Sequence, residues 1–125
     1  MPRNILDETH IHSAIRATVA GWQHGIVEEV RAAVQAHDVV VVVGMGINPW
    51  PAKARKALDA IHQPYHYLEY GSYLGEWRRR SALKMWTGWP TFPMVFVRGV
   101  LVGGCTELQA LIASDELTRM LNLKR

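Results

Sequence analysis

Cysteine is nearly missing from this chain of 125 residues: Cys105 is the single one. An internal disulfide, a disulfide framework and a cysteine-rich zinc site are thereby excluded. A lone thiol suits a reducing compartment, so the cytoplasm is the expected setting. Long apolar runs are missing too. No stretch approaches the ~18 apolar residues of a membrane span, and MPRNILDETHIHS at the start lacks the apolar centre of an export signal. No membrane partner is expected. Neither an internal repeat nor a low-complexity tract is present. Histidines are scattered, and His10-x-His12 has no third ligand at a diagnostic spacing, so no metal site is expected.

Charge of one sign is also scarce. The net charge is +3, with a pI near 9.3. Much of the basic excess sits in Arg78-Arg79-Arg80, which reads as a solvated helix face. A nucleic-acid surface would need a broader basic stripe with interleaved aromatics, so no nucleic-acid partner is expected. What the chain does have is apolar residues, 49% of the total. That is enough for the core of one compact domain without disulfides or metals.

Periodicity divides the chain into elements. Ile11, Ile15 and Val19 recur every four residues and predict a short helix in a polar leader. Ile26, Val30 and Val34 share one face of a helix predicted over Trp22 to Ala36. Val39 to Val43 predicts a strand buried on both faces. Gly44 and Gly46 then allow a sharp turn, and a helix is predicted from near Pro51 to about His62. Tyr65 to Glu69 predicts a second strand, Trp77 to Trp86 a helix, and Met94–Val97 with Val100–Val102 a hairpin turning at Arg98-Gly99. A last helix is predicted from Thr106 to about Leu121, with a break near Ser114-Asp115. The order predicts a four-stranded mixed sheet with helices on both faces.

The stretch RSALKMWTGWPTFPMVFVRGVLVGGCTEL, Arg80 to Leu108, resembles the glutaredoxins, above all the monothiol class. Those carry an arginine, then Leu-Lys, an aromatic, Trp-Pro-Thr-x-Pro, a hairpin and Gly-Gly-Cys-Asp. Each piece is matched except the aspartate, where Thr106 stands. The resemblance covers about residues 22 to 121. It implies an α/β, thioredoxin-like fold, with residues 1–21 as an N-terminal extension and 22–125 as the glutaredoxin-like domain. It also implies a cis bond before Pro93.

In two-cysteine glutaredoxins the turn after the first strand reads Cys-Pro-aromatic-Cys. Counted without a gap through Leu58 to Tyr65, that motif falls on Asn48-Pro49-Trp50-Pro51. A second register, matching ARKAL to the helix of the one-cysteine class, puts the nucleophile position on Pro51 and requires gaps. In either register the turn holds no thiol. The family's chemistry uses a thiolate made reactive at a helix N-terminus, and its monothiol class holds a [2Fe–2S] cluster through the same cysteine. Asn48 is neither a nucleophile nor a plausible cluster ligand; it reads as a helix cap.

The resemblance also supplies a groove. Met45 stands where the family's glutathione-binding lysine would be, Arg80 matches its arginine, Phe92 precedes the cis-proline, and Thr106 replaces the aspartate that grips the α-amino group. Two charge contacts are lost, worth ~1.5–3 kcal/mol each. The implied ligand-binding residues are Asn48, Trp50, Arg80, Phe92, Pro93, Gly104, Cys105 and Thr106, with no catalytic residue and no metal. Trp50, on the turn, is the expected anchor for a partner. The expected function is non-catalytic binding of glutathione, a peptide or a protein through the former active-site groove. Glutathione is the one small molecule expected, held weakly, and self-association is left open. The alternative is a glutathione-dependent oxidoreductase or iron–sulfur glutaredoxin acting through Cys105.

Overall fold

The computed structural model describes residues 3–43, 48–71 and 76–122. After a 3-10 turn at Glu8–His10 the elements are α1 (Ser13–Gly21), α2 (His24–Ala36), β1 (Val39–Val43), α3 (Pro49–Ala60), β2 (His66–Glu69), α4 (Trp77–Thr87), β3 (Met94–Val97), β4 (Val100–Gly103), α5 (Cys105–Ala113) and α6 (Glu116–Asn122). The strands form one sheet in the order β2-β1-β3-β4. β1 and β2 run parallel, while β1–β3 and β3–β4 are antiparallel. This is the four-stranded mixed sheet flanked by helices of a thioredoxin-like fold.

Strand alternation sends side chains to two separate cores. On one face Val40, Met94 and Phe96 pack with Ile26 and Val30 of α2 and with Ala82 and Leu83 of α4. On the other, Val39, Val41, Val95 and Val97 pack with Ala54 and Leu58 of α3, Cys105 and Leu108 of α5, and Leu117 of α6. A register shift between Val95 and Phe96 marks an irregularity in the hairpin. The turn at Arg98 is tied back twice: its N–H donates to Asp38 O at 2.7 Å, and its Nη1 donates to Leu121 O at 2.9 Å.

Boundaries differ from the sequence reading where a single residue decides them. Gln23 is left-handed, with φ 49°, so α2 starts at His24 rather than Trp22. The helix after β1 starts at Pro49, two residues before Pro51, because Asn48 caps it. β2 begins at His66, and β4 reaches Gly103. The break at Asp115 is real, with φ 62°, and divides the last helix into α5 and α6. α4 is capped by Gly88, whose φ of 77° suits a residue without a Cβ and whose N–H closes the helix on Lys84 O at 2.8 Å. The leader helix α1 contributes no buried residue, and it is joined to α2 through the reversal at Gln23. No helix among the described residues is long and apolar enough to cross a membrane.

Candidate functional site

The head of α3, the loop before β3 and the head of α5 meet at one end of the molecule. Trp50, Trp89, Thr91, Phe92, Pro93, Gly104, Cys105, Thr106 and Glu107 line a cavity of about 350 Å3 there. Six of the residues anticipated from the sequence are among them. The Phe92–Pro93 peptide bond is cis, which turns the chain from the loop directly into the buried strand β3.

Asn48 borders this cavity through two hydrogen bonds. Its Oδ1 accepts the N–H of Trp50 at 3.0 Å, and its Nδ2 donates to Phe92 O at 3.4 Å. The first bond caps α3; the second, long one ties the helix head to the cis-proline loop. The local sequence makes the cap unusually complete. Of Pro49, Trp50 and Pro51, only Trp50 carries a backbone N–H, and Asn48 accepts it. A helix head normally binds anions through such free N–H groups, and this first turn has none left over.

Trp50 is 47% exposed at the mouth of the cavity, with Lys53 Nζ 4.3 Å from its ring centroid. Such an exposed cation–π contact is worth ~0.5–1 kcal/mol and holds a positive charge at the rim. Cys105 is buried, at 4% exposure. Burial pushes its thiol up from the ordinary value; Lys53 opposes the shift and Glu107 adds to it. That direction is opposite to the one a thiolate nucleophile requires.

Arg80 is not brought to the cavity wall. It lies in the first turns of α4, where its Nη1 donates to Tyr70 O at 3.2 Å. The neighbouring arginines have separate engagements: Arg79 pairs with Glu76 and Glu29, and Arg78 lies over the Trp77 ring. Met45, the residue at the family's lysine position, falls outside the described residues. Among the described residues, no group of three or more His, Cys, Asp or Glu side chains could hold a metal ion.

Three cavity residues were not anticipated: Trp89, Thr91 and Glu107. Trp89 is fixed by its own loop, its N–H donating to Thr87 Oγ1 at 3.1 Å while that hydroxyl donates to Leu83 O at 2.8 Å. Glu107 Oε1 accepts the N–H of Gly104 at 2.9 Å and caps α5. The Trp-Pro-Thr motif and the acid two residues beyond Cys105 were the signals that could have found them.

A mixed sheet of this order, with a cis-proline beside the head of the helix that follows β1, defines a thioredoxin-like protein with a groove at that helix. No family model matches the chain. A glutaredoxin-like protein of Dictyostelium discoideum is 42% identical over 89 residues, which cover 71% of this chain and 72% of that protein. Monothiol glutaredoxin-4 of Schizosaccharomyces pombe is 25% identical over 119 residues, covering 94% of this chain and 49% of its own length. A solved structure of a mutated buckwheat glutaredoxin superimposes with a TM-score of 0.69 at 22% identity, covering 82% of this chain and 92% of its own. A buckwheat glutaredoxin–glutathione complex gives a TM-score of 0.68 at 22% identity, covering 80% and 90%. The chain belongs to the glutaredoxin family.

Proposed function

We propose that this member of the family binds rather than catalyses. A peptide-like ligand, with glutathione as the simplest case, occupies the groove between the heads of α3 and α5, and no thiol–disulfide exchange follows. The observation that carries this reading is Asn48. Where the family's resemblance places a cysteine, an amide stands with both ends already bonded, one to the helix and one to the loop. It is neither a nucleophile nor a cluster ligand, and it makes the α3 head a closed structural corner.

The walls support binding. Trp50 and Phe92 provide apolar surface, Lys53 a positive rim, and Thr91, Thr106 and Glu107 polar contacts. The competing reading is catalysis through Cys105, which lines the same cavity. Its burial and raised thiol argue against it.

One pair of measurements separates the two. In a glutathione-dependent reductase assay the chain is expected to show no turnover above background. Turnover that Cys105→Ser abolishes would establish the enzyme instead. In an NMR titration, glutathione at ~10 mM, well above a millimolar dissociation constant, is expected to shift the amides of Trp50, Phe92 and Thr106. An unchanged spectrum there would remove glutathione as a ligand.

A further inference from the structure

We infer that the solvent-facing side of α4 is a docking site for an acidic amphipathic helix of a partner protein. The inference is independent of the groove between α3 and α5.

At ~100° per residue, Trp77, Arg78, Ser81, Lys84 and Met85 fall within about one third of the circumference of α4. Ala82 and Leu83 lie outside that third and carry the other side of the helix into the core, so the stripe looks outward. A merely solvated face would not carry what stands on it. Trp77 is 59% exposed and Met85 68%, the two most exposed large apolar side chains among the described residues beyond Leu6. Tryptophan, methionine and arginine are the residue types enriched where proteins meet, relative to the rest of their surface. Trp77 and Met85 are eight residues apart, about 12 Å along the helix axis. Beside Met85 the stripe opens into a cleft of about 310 Å3, where Val19, Trp22, Val27 and Trp86 supply further apolar wall.

The charge on this face selects the partner. Arg78 and Lys84 are exposed, and each lies over a ring rather than against an acid. Arg78 Cζ is 5.1 Å from the Trp77 ring centroid, and Lys84 Nζ is 5.7 Å from that of Phe92. The acids of α2 and of the start of α4 are engaged elsewhere: Glu76 and Glu29 pair with Arg79, and Glu28 pairs with Arg31. The stripe thus holds two cations and no anion. A partner that covers Trp77 and Met85 must come close to both cations, so carboxylates beside its apolar side chains complete the contact. A helix laid along α4 meets this demand, with apolar anchors about two turns apart and acids flanking them. A copy of the same face would set cation against cation. A nucleic acid needs a continuous basic track, and Glu28, Glu29 and Glu76 interrupt one here.

The probe is a fifteen-residue peptide blocked at both ends, with leucines on one helical face, glutamates flanking them and alanine elsewhere. Its counterpart has lysine in place of every glutamate. In an NMR titration the glutamate peptide is expected to move the Trp77 indole N–H, assigned through Trp77→Phe, and the amides of Ser81 and Lys84. The lysine peptide is expected to leave them still. Exchanging both Arg78 and Lys84 for alanine should weaken binding about fivefold, as the loss of two exposed ion pairs does. Trp77→Ala should weaken it about tenfold or more, as the loss of an aromatic anchor does. These side chains are exposed, and unchanged resonances of buried Val40 and Leu83 will show that each variant is folded.

If ~1 mM glutamate peptide moves nothing on α4, the docking site is refuted. It is equally refuted if the lysine peptide binds as well, or if the double variant binds the glutamate peptide unchanged. A fifteen-nucleotide oligothymidylate that moves the stripe where the peptide does not would give the face to nucleic acid. Shifts on the stripe that grow with protein concentration alone would give it to a second copy. Either result overturns the proposal.

Discussion

Asn48 concentrates what distinguishes this chain. Its side chain does two jobs that a thiol, a weak donor and a weak acceptor, does poorly: it accepts from Trp50 N–H and donates to Phe92 O. Replacing it with a thiol therefore tests the corner itself. In Asn48→Cys the new sulfur would sit at a helix head whose first turn contains two prolines. The helix dipole still favours a thiolate, but Trp50 supplies the one N–H available in that turn. The expected result is a thiol whose alkylation rate by iodoacetamide rises with a midpoint within about one unit of the ordinary thiol value. A midpoint several units lower would mean that the corner activates thiols despite its prolines. Cys105 provides the internal reference: buried and shifted upward, it should be alkylated much more slowly.

Among the elements, α1 and α3 lie at opposite ends of the energetic range. α1 buries nothing fully; the leader's described attachments include Arg3 Nη2 donating to Trp86 O at 3.2 Å and a shallow cleft where Val19 and Trp22 meet Val27 and Trp86. α3 places Ala54 and Leu58 in the core at no exposure. Deleting residues 1–21 should therefore cost less than about 1 kcal/mol in urea denaturation, because lost surface contacts of this kind are small. Leu58→Ala should cost about 2–5 kcal/mol, the usual cost of a cavity in a well-packed core. A deletion as damaging as the core substitution would show that the leader is part of the folding unit.

The elements also differ in how much of each the sequence carries. The valine run announced β1, and apolar spacing announced α2, because one-dimensional periodicity maps directly onto a face. The start of α3 was displaced by two residues because both Pro49 and Pro51 suit a first turn; the hydrogen bond from Asn48 decides between them. The cavity residues Phe92, Gly104 and Thr106, beside Pro93 and Cys105, followed from the resemblance to the glutaredoxin motifs. Arg80 matched the motif too, yet its carbonyl partner on Tyr70 is set by how α4 lies against the end of β2. That the Trp89 indole N–H is buried without a hydrogen-bond partner among the described residues was not legible at all. It depends on how the loop before β3 packs against the core beside α2 and α4.

At the scale of the whole molecule, three tyrosine hydroxyls, that of buried Tyr70 and those of half-buried Tyr65 and Tyr67, share one direction of shift with the thiol. Burial raises Tyr65, Tyr67 and Tyr70, with nearby carboxylates of Asp59, Glu69 and Glu29 contributing, and burial raises Cys105. Above their ordinary values, 9.0 for the thiol and 10.0 for tyrosine, the unfolded chain releases protons that the folded chain keeps. Stability is therefore complete below about pH 9 with respect to these groups and falls as pH climbs through 10 and beyond. Urea midpoints measured from pH 8 to 11 should decline, and Tyr70→Phe should flatten the decline. A flat profile in the parent chain would contradict the burial of these groups.

The inner strands β1 and β3 face both cores at once, Val40 and Phe96 toward one and Val39, Val41, Val95 and Val97 toward the other. Neither side of the sheet can therefore melt alone without stripping packing from strands that the other side still needs. Deuterium becomes a reporter of that coupling. Amides of Val39, Val40, Val41 and Phe96 should take up the isotope only when the whole chain opens, at a rate that gives the same free energy as global unfolding. Amides of α1, which no core holds, should fill many orders of magnitude sooner. The molecule would then keep two clocks, a fast one in its leader and a single slow one for everything the valines join.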